Sequence, residues 1–244
     1  MNPQVPNHSM LPAPELLAPA GGPEALRAAV NNGADAVYLG VDRLNARQGA
    51  ENFTLKTLPD VTRFAHLKGV RVYLTANVVV VPDEMNEALS LVDEAWAAGV
   101  DAVIVQDLGL ARAVHTELPD VRLHASTQIG AHNAPTVAEL ARTGFSRVTL
   151  ARETSAEEIA GLVAASDIEV ESFIHGALCV SYSGGCFMSS LIGGRSANRG
   201  QCAQPCRLAY ELLDEKSKSR ASVGAHLLSP KDLCGIDHLP RLVS

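Results

Sequence analysis

A chain of 244 residues with 47% hydrophobic content is long enough for one sizeable core, so we predict one main domain. The net charge of −7 gives no overall sign of nucleic-acid binding, and no apolar run approaches the ~20 residues that cross a bilayer. Residues 1–14 lack the basic start and apolar block of a secretory signal, and we predict that they form a disordered tail. These features indicate a cytoplasmic protein without a membrane span. In that compartment clustered cysteines favour metal binding or catalysis over disulfides.

From residue 15 onward, short apolar runs alternate with amphipathic stretches typical of helices. The apolar runs predict strands that begin near Glu15, Val121 and Ile168 or that end near Leu39, Thr75, Gln106 and Ala151. Four stretches that precede strands carry the glycine that commonly ends a helix in the left-handed conformation, namely Gly33, Gly69, Gly99 and Gly144. The nearly continuous apolar strands predict a parallel sheet that is covered on both faces. Seven β/α units in a row predict an α/β fold, a TIM-type (β/α)8 barrel, with a doubly wound open sheet as the alternative.

The barrel domain is predicted to span residues 15–244 and to be incomplete at its C-terminus. The chain ends in IDHLPRLVS, a helix-like stretch, so we expect the eighth strand to lie beyond the chain end or the barrel to close imperfectly. Residues 176–234 are then an insertion after the seventh strand, far longer than the usual βα loop of about 2–6 residues. Loops of this length in a compact domain are usually functional.

Polar side chains follow the predicted strands, and a barrel places its active site at those strand ends. The residues that we predict to be catalytic are Asn77, His124, Arg152, Glu171 and His175. The residues that we predict to bind substrate are Arg47, Asn52, Gln128, Asn133, Arg195 and Arg199.

Several of these residues also have a plausible structural role. Asn77 could cap the helix that follows it, and His124 could be a satisfied core histidine. Arg152 and Glu171 follow or interrupt apolar strands, and because buried charges need partners, they could pair with each other.

The stretch from Ser172 to Tyr210 differs in charge from the rest of this acidic chain. It contains no Asp or Glu, but it contains Arg195, Arg199 and Arg207. This composition predicts a local basic surface.

All five cysteines lie in the last quarter of the chain, among several glycines, at Cys179, Cys186, Cys202, Cys206 and Cys234. Four thiolates suit a zinc ion or an iron–sulfur cluster. Only Cys202 and Cys206 have the close spacing of a zinc-ribbon pair, so the spacing alone favours neither metal. A dyad of Cys179 with His175 lacks an orienting partner, and the chain has no H-E-x-x-H, G-x-S-x-G or Walker A sequence.

The stretch ESFIHGALCVSYSGGCFMSS, residues 171–190, resembles the signature of the peptidase U32 family, the collagenase-like proteases. The matching positions include Glu171, Phe173, Gly176, Cys179, Ser183, Gly184, Cys186 and Ser189, whereas Gly185 stands where the family more often has a larger polar residue. The segments ELLAPAG, NARQGAENFT, GGRSANRGQCAQPCR and LSPKDLC also resemble the family, so the resemblance covers about residues 15–244.

The resemblance implies two different activities. The family name implies metal-dependent proteolysis. Several members instead are oxygen-independent hydroxylation proteins that modify a tRNA uridine, an rRNA cytidine or a ubiquinone precursor, with prephenate as the linked oxygen source. In these members four cysteines hold a 4Fe-4S cluster. Their positions correspond here to Cys179, Cys186, Cys202 and Cys234, with Cys206 as the alternate.

The chemistry of the residues favours iron–sulfur-dependent hydroxylation of an RNA nucleoside, because the insertion is rich in thiols and glycines and no hydrolytic triad is visible. Its arginines could meet an RNA backbone or a small dicarboxylate such as prephenate. The alternative is a U32 peptidase, for which zinc or another divalent metal replaces the cluster. The second alternative is a non-catalytic, metal-stabilised partner protein.

Overall fold

The computed structural model describes residues 13–49 and 51–243, so most of the tail predicted at residues 1–14 lies outside the described residues. Strands and helices alternate as the sequence predicts. The strands of the main sheet are β1 (Leu17–Pro19), β2 (Ala36–Leu39), β3 (Arg71–Ala76), β4 (Ala102–Val105), β5 (Leu123–Ala125), β6 (Phe145–Thr149) and β7 (Glu169–Glu171). The helices between them are α1 (Pro23–Asn31), α2 (Leu58–His66), α3 (Met85–Ala97), α4 (Leu108–Glu117), α5 (Ala134–Arg142) and α6 (Ala156–Ala164).

The main sheet is parallel throughout, and each strand pairs with the next one in the sequence. A doubly wound sheet reverses its strand order at a switch point, so the sequential order rules out that alternative. The sheet is curled, because the carboxylate of Glu15, just before β1, lies 2.6 Å from the Nη1 atom of Arg147 in β6. The prediction of a barrel-type β/α fold is therefore confirmed.

The two faces of the curled sheet have different chemistry. The outer face packs against the helices through buried aliphatic side chains, among them Val37, Leu39, Val72, Leu74, Val103, Val105, Leu123 and Val148. Each fully buried side chain of this kind contributes about 1.5–3 kcal/mol to folding. The inner face carries a small cluster of Ala36, Tyr73, Ala102 and Ile104 on β2 to β4. On β5 to β7 the inner face is polar, so the predicted apolar covering holds for the outer face and for β2 to β4 of the inner face.

The ends of the helices follow local sequence signals. The four glycines predicted to end helices all have positive φ values, between 73° and 96°. Asp107 caps α4 by accepting a hydrogen bond from the backbone N–H of Leu110 at 2.9 Å. Ser155 and Glu158 form a reciprocal capping box at the start of α6. These signals fix where each helix stops and the next strand begins.

After β7 the chain leaves the main sheet. Its further elements are β8 (His175–Gly176), α7 (Met188–Gly193), β9 (Tyr210–Leu213), β10 (Ser219–Val223), β11 (Leu233–Cys234) and α8 (Leu239–Val243). β9 and β10 form an antiparallel hairpin, and β11 pairs with β8. We call residues 176–234 the cysteine segment.

In the part of the chain that the structure describes, the main sheet has seven strands, and the predicted eighth strand stays a prediction. The terminal helix α8 is attached to α6 by an ion pair between Arg241 and Glu157 at 2.6 Å. Among the described residues, no helix combines the length and apolar character that a membrane crossing requires.

Candidate active site

A buried charge network occupies the inner face of β6 and β7. The guanidinium of Arg147 contacts Glu15 at 2.6 Å, Glu169 at 2.5 Å and Glu171 at 3.6 Å. Its side chain is 8% exposed, and it also lies over the ring of Tyr73, 5.3 Å from the ring centre. One buried cation therefore faces three carboxylates that come from opposite ends of the sheet.

Glu171 stands at the carboxyl end of β7, where the inner face opens. Its Oε1 atom accepts a hydrogen bond from the hydroxyl of Thr149 at 3.0 Å, whereas its buried Oε2 atom has no hydrogen-bond partner among the described residues. Burial raises the pKa of Glu171 above its ordinary value, and the hydrogen bond from Thr149 and the charge of Arg147 only partly oppose that effect. The structural alternative, in which Glu171 pairs with Arg152, is not formed, since Arg147 is the cation beside Glu171.

His124 is a buried, neutral histidine on the inner face of β5. Its ring packs edge-on against Tyr73 with ring centres 4.8 Å apart, and its Nδ1 atom has no hydrogen-bond partner among the described residues. Burial first, and then the positive charge of Arg147, lowers the pKa of His124 to about 3. At neutral pH this side chain is therefore an uncharged imidazole rather than a cation.

The cysteine segment lies across the carboxyl ends of the strands. The backbone N–H of Val79, after β3, donates to the carbonyl of Asn198 at 3.0 Å. Arg199 donates to the Val79 carbonyl at 3.0 Å and to both carboxylate oxygens of Glu84 at 2.6 and 3.0 Å. A Cβ atom at Gly200 would lie 2.1 Å from the carbonyl oxygen of Asn45, so the segment also touches the β2–α2 connection.

A second contact holds the first turn of the cysteine segment over β5 and β6. Ser183 donates from its backbone N–H and its hydroxyl to the two carboxylate oxygens of Glu153, at 3.0 and 2.9 Å. The Ser183 hydroxyl also accepts from the backbone N–H of Arg152 at 3.2 Å. Gly184 fits because it has no side chain: a Cβ atom there would lie 1.8 Å from the carbonyl oxygen of Gln128.

Arg152 brings a positive charge to the first cysteine. Its Nη1 atom lies 3.7 Å from the sulfur of Cys179, and its guanidinium stacks 4.6 Å from the ring centre of Phe173. Its Nε atom is buried without a hydrogen-bond partner among the described residues. The dyad of Cys179 with His175, which the sequence left without an orienting partner, is not formed, because Cys179 contacts Arg152 and the His175 side chain makes no hydrogen bond in the described part of the chain.

The five thiols are free and range from half-buried to exposed. Burial raises the pKa of Cys206, and the charges of Cys202, Cys179 and Cys186 add to that effect. Cys234 lies in β11, directly across from His175 in β8. Within the described ranges no three His, Cys, Asp or Glu side chains form a ready-made metal site. In donor type the thiols fit a thiolate-held metal centre, and all five lie in the cysteine segment.

The remaining predicted residues surround this region in different roles. The Oδ1 atom of Asn77 accepts from the backbone N–H of Ala46 at 3.0 Å, so it holds the β2–α2 connection rather than capping a helix. In that connection Asn52 donates to the carbonyl of Arg47 at 3.1 Å. Asn133 caps α5 by accepting from Thr136 at 2.9 Å.

Two predicted binding residues are arginines of the cysteine segment, and they differ in whether the guanidinium already has a partner in the chain. Arg199 is engaged by Glu84 and Val79, as described above. Arg195 is exposed, and its side chain has no partner among the described residues. The binding and catalytic roles predicted for these residues stay predictions.

Sequence reasoning missed four members of the inner network: Glu15, Tyr73, Arg147 and Glu169. The sequence does mark Arg147, because this charged residue interrupts the apolar run FSRVTLAR, just as Arg152 ends it. Glu15 had none, because its partner Arg147 lies 132 residues away in the sequence.

The fold and the site together define a barrel-type protein whose cysteine-rich segment is held over the strand ends. The family model described as Peptidase family U32 matches residues 21–244, and the chain belongs to that family. The resemblance predicted from residues 171–190 is therefore confirmed. The solved structure titled the U32 peptidase Mk0906 is similar in fold, with a TM-score of 0.54 and 16% identity over 72% of this chain and 75% of that chain.

Curated relatives carry names of both activities. The chain is 42% identical to the 23S rRNA 5-hydroxycytidine C2501 synthase of Escherichia coli K12, over 89% of this chain and 33% of that protein. It is 37% identical to tRNA hydroxylation protein P1 of Bacillus subtilis 168, over 94% of this chain and 56% of that protein. It is 34% identical to a collagenase of Porphyromonas gingivalis W83, over 94% of this chain and 58% of that protein. The chain thus spans about one third to three fifths of these relatives.

Proposed function

We propose that this chain is an RNA-modifying enzyme of the U32 family that hydroxylates a nucleoside of tRNA or rRNA in the cytoplasm. The observation that carries the proposal is the placement of Cys179: Arg152 contacts its sulfur, and the adjoining turn is fixed to Glu153 above the polar strand ends. The names of the two hydroxylation relatives support the same reaction.

The reaction replaces a carbon–hydrogen bond of the nucleobase by a carbon–hydroxyl bond. The base loses two electrons, and a small dicarboxylate of the prephenate type is the donor that accepts them. One carbon–oxygen bond of this donor breaks as its oxygen passes to the base, and the donor carbon takes up the hydrogen that the base loses. A 4Fe-4S cluster held by Cys179, Cys186, Cys202 and Cys234, with Cys206 as the alternate, would supply redox-active iron at this site.

The chain's own residues would bind and orient the reactants. Arg195 offers a free guanidinium that can pair with a phosphate or a carboxylate. Glu171, whose raised pKa favours the protonated form, can hold a proton at its Oε2 atom, which accepts no hydrogen bond from the described residues. Arg152 keeps a positive charge beside the sulfur of Cys179.

The substrate class is tested by mass spectrometry of nucleosides from a strain that lacks the gene. We expect one hydroxylated pyrimidine to disappear and to return with the parent gene but not with Cys179→Ala. The matched control is Leu212→Ala, an exposed residue of the β9–β10 hairpin, which should restore the nucleoside fully. An unchanged nucleoside profile in the deletion strain would overturn RNA hydroxylation.

The cofactor is tested on protein purified without oxygen. We expect brown protein with nearly equal amounts of iron and sulfide, and full zinc occupancy in colourless protein would refute the cluster. Cys206→Ala and Cys234→Ala then identify the fourth ligand. The variant that lacks the fourth ligand should lose iron, whereas the variant that lacks the spare cysteine should keep it.

The collagenase relative supports proteolysis as the second candidate. That activity predicts cleavage of gelatin that a chelator and Cys179→Ala both abolish. Cleavage that survives both treatments would come from a contaminating protease.

A further inference from the structure

Two aromatic side chains beside Cys186 are exposed, which is unusual in this chain. Tyr182 is 78% exposed and Phe187 is 60% exposed. The chain has only ten aromatic residues, five Phe, four Tyr and one Trp, and all ten lie within the described ranges. The other eight, for example Phe53 and Phe145, are buried or half-buried, so aromatic exposure is confined to this part of the cysteine segment.

The backbone under both rings is fixed. The Tyr182 carbonyl accepts from the N–H of Gly185 at 2.9 Å and closes a turn whose next residue, Ser183, is bound to Glu153. The Phe187 carbonyl accepts from Leu191 at 3.0 Å in the first turn of α7. Because the backbone under the rings is already ordered, binding a partner costs little further conformational entropy.

The charged side chains of the segment that carries these rings are basic, and the Glu153 carboxylate that contacts this turn is held by Ser183. Residues 172–210 contain no acidic side chain, and the chain returns to α7 at Arg195, whose backbone N–H donates to the Ser189 carbonyl at 3.3 Å. Arg195 is exposed and its side chain has no partner among the described residues. Exposed aromatic faces and an exposed guanidinium in the same short segment suit a ligand with stacking bases and a phosphate backbone.

We infer that Tyr182 and Phe187 form a base-stacking subsite for single-stranded RNA, with Arg195 as its phosphate contact. The inference rests on the proposed function and specifies how the RNA is held at that site. The two rings stack on unpaired bases on either side of the cysteine turn, so the subsite selects loops and single strands over duplexes.

The test measures binding of the full chain to a fluorescent, unstructured RNA of about ten nucleotides by anisotropy. Tyr182→Ala and Phe187→Ala should each weaken binding about tenfold, and Tyr182→Phe and Phe187→Tyr should restore it, because any aromatic face stacks. The same backbone without bases should bind the parent and both alanine variants equally. Arg195→Ala should weaken binding to both oligonucleotides.

The matched control separates RNA from a protein partner. Leu191, in α7, is 85% exposed and is aliphatic. If the patch stacks bases, Leu191→Ala leaves RNA affinity unchanged. If Leu191→Ala weakens binding as much as Phe187→Ala, the surface acts through apolar contact and the stacking inference is wrong.

Nucleoside analysis distinguishes this inference from the proposed function. Tyr182→Ala and Phe187→Ala should lower the hydroxylated nucleoside when they replace the parent gene, whereas Leu191→Ala should not. Parent-like RNA binding by both alanine variants, with hydroxylation intact, would overturn the stacking subsite alone. A parent protein that neither binds RNA nor alters any nucleoside would overturn both.

Discussion

His124 shows how burial converts a titratable side chain into a neutral one. Its ring lies against Tyr73 on the inner face, 4% of the residue is exposed, and its pKa falls to about 3. The histidine is thus neutral in the folded chain, while in the unfolded chain it takes up a proton near its ordinary pKa of 6.5. A proton that only the unfolded state binds destabilises the fold as the pH falls.

We predict that the free energy of unfolding falls by about 2 kcal/mol between pH 7 and pH 5 because of this one side chain. The contribution is fully present above the unfolded pKa and continues to decline until the pH reaches the folded pKa of about 3. Urea unfolding across this range should give a flatter pH dependence for His124→Gln than for the parent. His115→Gln, on the exposed face of α4, controls for the loss of a histidine. Equal slopes for the parent and His124→Gln would refute the assignment.

Glu171 titrates in the opposite sense. Its pKa is raised, so the folded chain keeps a proton that the unfolded chain loses above the ordinary value of 4.5. Its contribution to stability is present below that value and is lost as the pH rises through the folded pKa. We predict that Glu171→Gln, which mimics the protonated carboxyl, gains stability relative to the parent as the pH rises from 4 to 7.

The comparison for Glu171 is Glu169→Gln. Both carboxylates contact Arg147, but the Glu169 side chain is 66% exposed. Denaturant unfolding of the two variants over the same pH series isolates the effect of burial. If Glu171→Gln loses stability relative to the parent as the pH rises, then the attraction of Arg147 outweighs burial.

At the scale of elements, the first turn of the cysteine segment depends on Gly184. Its φ is +74°, and an added Cβ atom would lie 1.8 Å from the Gln128 carbonyl oxygen. We predict that Gly184→Ala lifts this turn off the β5 connection, because the backbone conformation alone costs about 1 kcal/mol and the contact forces a displacement. Limited proteolysis between residues 180 and 190 should become faster.

The neighbouring glycine provides the control for that prediction. A Cβ atom at Gly185 would meet the Tyr182 carbonyl at 3.5 Å, an ordinary contact. Gly185→Ala should therefore be cleaved at the parent rate. Equal cleavage rates for Gly184→Ala and the parent would show that the close approach to Gln128 is not needed to hold the turn.

The elements that the sequence predicted are those with local signals. The strand order follows from the alternation of apolar runs and amphipathic helices, and the helix ends follow from single glycines. The docking of the cysteine segment had no such signal, because it depends on pairs such as Arg199 with Glu84, 115 residues apart. The sequence placed the thiols together on one loop, and only the long-range contacts show which strand ends that loop covers.

At the scale of the whole molecule, Arg147 links the two ends of the curled sheet. Glu15 precedes β1, Glu171 ends β7, and the guanidinium of Arg147 contacts both. Because the carboxylate of Glu15 is 12% exposed, removing its buried cation leaves this carboxylate with the half-exposed Arg71 as its cationic partner. The ion pairs of Arg147 therefore both hold the curvature of the sheet and balance the charges on its inner face.

We predict that Arg147→Met lowers the free energy of unfolding by about 3–5 kcal/mol, as the loss of one partner of a buried ion pair does. The double variant Arg147→Met with Glu15→Gln should recover part of this loss, since it also removes the carboxylate charge that has lost its buried partner. Lower pH should also favour Arg147→Met relative to the parent, because protonation neutralises the same carboxylates.

Arg71 is the matched control for this prediction, since it pairs with the same Glu15 carboxylate but its side chain is 46% exposed. A solvated pair of this kind contributes at most about 1 kcal/mol, so Arg71→Met should cost much less than Arg147→Met in urea unfolding. A similar cost for both variants would mean that Arg147 acts as an ordinary surface partner of Glu15. The curl of the sheet would then be maintained by the outer helices rather than by the interior ion pair.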